Sequence, residues 1–139
     1  MNADAWNLLA ERSRALVHQA SLLMGMLTHP AQVIDDEMRL AVAARTGVAV
    51  DELSAALAAA PELAAHLRTV QRFQHSLDAW QQSVAEDHPM ARRYQTALLQ
   101  QAAQVLISCL HIETLAVGEC ARVDAGPFEA LARSSHGGT

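Results

Sequence analysis

The feature that most constrains this chain is a row of side chains near its start: Trp6, Leu9, Ser13, Leu16, Ala20, Leu23 and Leu27, spaced alternately by three and four residues. An α-helix completes a turn in about 3.6 residues, so this spacing lines one helical face, whereas a strand would need a spacing of two. At roughly 1.5 Å per residue the row is about 32 Å long. A rod of that length with one apolar face is stable only when other helices cover it. A second row, Leu8, Ala15, Leu22 and Met26, widens the stripe, so the later half of this helix is expected to be buried on two sides.

Prolines and glycines divide the rest of the chain. The first helix reads from Asp4, as its N-cap, to a stop at Thr28, His29 and Pro30. Pro30 suits the first turn of a second helix, with Ile34, Met38, Ala41 and Val42 facing inward and Gly47 as its end. A short third helix follows from Asp51 with Leu53 and Leu57, and Pro61 opens a fourth that carries Val70, Phe73, Leu77, Trp80 and Val84. After a break at Asp87, His88 and Pro89, Met90 to Val117 reads as the longest helix. Its VLISCL stretch, residues 105–110, is apolar all round, which places it at the centre of the fold or beneath another subunit. Gly118 ends or bends it, Pro127 starts a last short helix through Leu131, and SSHGGT, residues 134–139, reads as a disordered tail.

Composition agrees with that segmentation. Hydrophobic residues make up 51% of the 139 positions but aromatics only 4%, and the alanine and leucine that dominate lose little rotamer freedom in a helix. A chain of this length can bury a core without disulfides or metal. The expected fold is therefore all-α: a single-domain bundle of five main helices plus a short C-terminal one, over residues 1–133.

The same composition removes several chemistries. All 10 basic residues are arginine, a bias that fits a bacterial source and excludes a Schiff-base lysine or a phosphate-loop lysine. A net charge of -5 disfavours nucleic acid and anionic lipid as general partners. No charged leader followed by an apolar stretch opens the chain, and no run of about 18 apolar residues suggests a membrane span. Cys109 and Cys120 would lie on one helical face about 16 Å apart, too far to pair. Reduced, buried thiols and a cytoplasmic location are expected.

The sequence offers four candidate sites. LAVAARTGVAVDELSAAL, residues 40–57, has the spacing of a helix-turn-helix with Gly47 in the turn, which is the reading of the chain as a transcriptional regulator. Its second helix, however, offers no side chain suited to base edges and begins with two acids. Glu62 with His66, and His75 with Asp78, have helical ligand spacing but lack a third partner, so no metal is expected, and His18 and His111 stand alone in sequence. Cys109 lies in an apolar run that suppresses its thiolate, and Cys120 follows Glu119, so no catalytic residue is assigned. Arg68, Arg72, Arg92 and Arg93 form a candidate anion-binding patch, the basis for an alternative reading as a small-molecule-binding bundle or a small enzyme with an arginine and histidine pocket.

By exclusion, the expected function is non-enzymatic. The chain reads as a small adaptor, chaperone-like or regulatory protein acting through apolar helix faces, without a cofactor. Its expected partner is a second copy of itself or another protein, with Trp6, Leu9, Leu16, Leu23 and Leu27 as the interaction surface.

Overall fold

The computed structural model describes residues 1–29 and 34–137, with side chains described as far as Arg122. It contains α1 (Ala3–Thr28), α2 (Asp36–Ala58), a 3-10 turn at Pro61–Leu63, α3 (Ala64–Ala85) and α4 (Ala91–Gly137). The all-α expectation holds, with four long helices among the described residues in place of five and a short one.

Each difference has a local cause. The side chain of Asn2, not Asp4, caps α1 by accepting from the Ala5 amide at 2.9 Å, and Asp4 sits in the first turn, where its charge favours the amide end of the helix. The second helix begins at Asp36, capped by Asp35 on the Met38 amide at 2.8 Å; the start expected at Pro30 falls outside the described residues. It then passes through Gly47 without a turn. The buried positions Val42, Ala43, Thr46, Ala49, Val50, Leu53 and Leu57 keep one helical register across the glycine. Glycine in a helix costs about 1 kcal/mol, while burying each of Val50, Leu53 and Leu57 gains roughly 1.5–3 kcal/mol, so packing overrides the local preference. A Cβ at Gly47 would meet only Leu77 Cδ2, at 3.9 Å. α4 likewise runs past Gly118 and through the segment expected to hold a separate short helix, to Gly137; of the expected tail, residues 138 and 139 lie outside the described residues.

The helices pack as a ring in which α1 and α3 each touch both α2 and α4 and the diagonal pairs stand apart. Cross-helix contacts give the directions. Arg12 meets Glu52 and Arg39 meets Met26, so α1 and α2 are antiparallel; Arg14 meets Glu113 and Gln95 meets Leu27, so α1 and α4 are too. Gln74 with Asp51 and His66 with Ser108 complete an up-down-up-down bundle. Its interior is filled by Trp80, Phe73, Leu9, Leu16, Leu53 and Ile112, all fully buried.

The end of α1 is closed from outside. No glycine supplies a left-handed C-cap, and the released carbonyls are taken by neighbours: buried Arg39 donates from Nε to Met26 O (3.3 Å) and from an Nη to His29 O (2.9 Å), while Gln95 donates to Leu27 O (3.1 Å). A cation here also meets the negative end of the helix dipole. Thr46, fully buried, donates to Val42 O at 2.8 Å beside Gln19 O of α1 at 3.4 Å.

Candidate association face and histidine cluster

α4 carries two seams of residues, each with helical three and four spacing. The inner seam, Leu98, Ala102, Val105, Cys109, Ile112 and Ala116, is buried against α1 and α3. Five residues further on in each case comes the outer seam: Ala103, Ile107, Leu110, Thr114, Val117 and Ala121. All six are exposed, with Ile107 at 65%, Leu110 at 56% and Val117 at 63% of full accessibility. The helix expected at the centre of the fold is therefore one wall of it, and the apolar-all-round stretch at residues 105–110 faces both the core and solvent. Because both seams add to its hydropathy, Ala91–Arg122 is long and apolar enough to cross a membrane by length and composition, with a mean hydropathy of 1.2 in a window that is 28% buried. Its inner seam is nevertheless the bundle's own core.

The face expected to meet a partner is turned into the bundle. Trp6, Leu9, Leu16, Leu23 and Leu27 are buried inside the bundle, at 8% exposure or less, where they pack in one core with residues of the other helices. On α1 the row left outside is the second one, with Leu8 and Leu22 both more than two-fifths exposed.

The arginine patch divides. All four arginines are exposed, but Arg68 and Arg72 lie on α3 and Arg92 and Arg93 open α4. His66 on α3 is level with Ser108 on α4, which puts Arg72 about ten residues, roughly 15 Å along the axis, from Arg92. Arg92 shares its hollow with Asp36 and Asp87, which repel an anion. The helix-turn-helix reading meets a similar result: residues 40–57 lie within one continuous helix. Of the arginines that could make a basic surface beside it, Arg39 is buried against α1, Arg12 pairs with Glu52 and Arg14 with Glu113, and only Arg45 of the four is exposed without such a contact among the described residues.

Tertiary packing instead assembles a polar cluster that sequence spacing did not reveal. Half-buried His66 of α3 places Nδ1 2.5 Å from Ser108 Oγ of α4, and its ring centre lies 4.9 Å from that of exposed His111, edge to face at 68°. Thr69, Gln104 and Ile107 complete the rim of an open hollow of about 290 Å³. Burial, and then repulsion from His111, hold the His66 imidazole below its ordinary range. A serine against a histidine invites comparison with a nucleophile and its base. Ser108, however, is mid-helix, where the backbone amides are spent on helical hydrogen bonds and leave no oxyanion donors, and no described carboxylate orients His66.

The cysteines are both free. Burial, then Glu113, push the Cys109 thiol up to about 12, which keeps it protonated and unreactive near neutral pH. Cys120 is half-buried, 3.3 Å from Asn7 Oδ1. Among the described residues no cluster of three or more histidine, cysteine or acidic side chains is placed to hold a metal. No family model, curated protein or solved structure matches this chain.

Proposed function

We propose that this chain is a small non-enzymatic association protein of the cytoplasm, an adaptor or regulator that pairs with a second copy of itself through the outer face of α4. One observation carries the reading: the exposed outer seam of α4 is nearly symmetric in side-chain size, with one unequal pair at its centre. Around a centre at position 112, Ala103 mirrors Ala121, Ile107 mirrors Val117 and Leu110 mirrors Thr114. A two-fold axis through that point lays α4 antiparallel to its copy and brings each residue opposite its mirror, which is the self-complementarity an isologous dimer requires. Every layer then pairs one residue from each side of the seam, as in an antiparallel coiled coil.

The strip is about 27 Å long and one helix wide, at the low end of specific interfaces, so association in the micromolar range is expected. Sedimentation velocity from about 1 µM to about 1 mM tests this: a reversible monomer–dimer equilibrium is the expected result, and the double variant Ile107→Asp, Leu110→Asp should sediment as a monomer with unchanged helix content. A wild-type chain that stays monomeric across that range contradicts the proposal.

A further inference from the structure

The geometry points to a zinc-binding site between α3 and α4, made by His66 and His111 with Ser108 as the group that orients His66. The site adjoins the outer seam, with Ile107 common to both, but its ligands are not seam residues; nothing in the spacing of the sequence announces it, since the two histidines are 45 positions apart in the chain. Imidazole nitrogen is a preferred zinc ligand.

The separation of the rings fits a shared ion. A zinc–nitrogen bond is about 2.1 Å and the imidazole centre lies about 1.1 Å beyond the nitrogen. Two rings on one ion therefore have centres about 4.5 Å apart at a right angle and about 5.2 Å apart at the tetrahedral angle. The two centres stand 4.9 Å apart in this fold, inside that range. The helix pair needs no further approach: His66 keeps its contact with Ser108, and the exposed His111 is the ring that turns to meet the ion.

Ser108 supplies the second element. Metal-ligating histidines almost always donate their other ring N–H to a fixed acceptor, which selects the tautomer and aims the ligating nitrogen. Ser108 Oγ lies 2.5 Å from His66 Nδ1, and the tautomer that donates Nδ1–H to it leaves the lone pair on Nε2. Ser108 is itself only 6% exposed, held by the α4 backbone, so the acceptor is rigid. The remaining two coordination positions open onto the hollow, where Gln104 and Thr69 offer oxygen and water has access. An ion held by two protein ligands with exchangeable positions is bound with modest affinity.

Calorimetric titration of the full, metal-free chain with zinc chloride tests the inference. One zinc per chain is expected, with a dissociation constant of about 1–100 µM. His66→Gln and His111→Gln should each remove measurable binding, and Ser108→Ala should weaken it about ten-fold. His75→Gln and His88→Gln should leave it unchanged. Because His111 is exposed, its variant keeps the test valid even if His66→Gln folds poorly. Absence of binding at about 1 mM zinc, or binding that survives both His66→Gln and His111→Gln, overturns the proposal.

Discussion

Replacing Arg39 with methionine tests how the bundle closes the end of α1. Methionine keeps much of the aliphatic stem, so packing is largely conserved and the loss is that of the guanidinium. Two charge-assisted hydrogen bonds disappear, to Met26 O and His29 O. Each contributes about 1–1.5 kcal/mol on balance, because the freed carbonyls lie at a helix end where water can partly replace the donor. Loss of a cation from the negative helix terminus adds about 0.5 kcal/mol. The contact with Asp36 adds nothing to the sum, being 3.5 Å long with an acid that is 69% exposed. The expected destabilisation is about 2.5–3.5 kcal/mol, or about 8–12 °C in melting temperature for a domain of this size. Urea denaturation followed by circular dichroism measures it, with an unchanged m-value as the sign that the unfolded state is unaffected. Arg39→Lys should recover only part of the loss, since a point charge cannot reach both carbonyls as the planar fork does. An Arg39→Met variant within about 0.5 kcal/mol of wild type would show that solvent already satisfies α1 and that the clamp is idle.

Three further outcomes follow from the same packing. Gly47→Ala should stabilise the protein by about 0.5–1 kcal/mol in the same urea assay, because the position is helical and its Cβ meets only Leu77 at 3.9 Å; destabilisation would indicate a turn there after all. Ser13→Ala should stabilise by about 1 kcal/mol, since the hydroxyl is fully buried with no hydrogen-bond partner, and a loss of stability would mean that the hydroxyl is satisfied. A thiol reagent at pH 8, with the product read by mass spectrometry, should label native protein once, at Cys120, and label Cys109 only after unfolding; rapid labelling of Cys109 in the folded chain would contradict its burial.

The helices were largely legible in the sequence because apolar spacing reports on packing directly. The row from Trp6 to Leu27 and the row from Val70 to Trp80 both lie where the periodicity puts them. Glycine misled, since its propensity cost is smaller than the burial of the leucines that follow it, and so the pattern at residues 40–57 forms one helix and not two. Which apolar row turns inward was the harder question. A residue such as Leu9 is identical in type to Leu110, and only the position of neighbouring helices decides that the first is covered and the second bare. The near-symmetry of the outer seam is nonetheless written in the sequence and becomes readable once α4 is known to have a free side. The His66, Ser108 and His111 cluster had no such signal, because it arises where antiparallel helices bring distant positions level.

Two-fold pairing of α4 is tested most directly by a distance between copies. In a Cys120→Ser background, Gln100→Cys carries a spin label on the exposed side of α4, and buried Cys109 stays unlabelled. An antiparallel pair centred at position 112 sets the two labels twelve residues either side of the axis, about 36 Å apart along it. Double electron–electron resonance at about 0.2 mM protein should therefore give one distance of about 35–40 Å, a separation set by the helical rise. A distance below about 20 Å, the signature of parallel helices whose equivalent residues stand level, or no dipolar coupling between copies, would contradict the account.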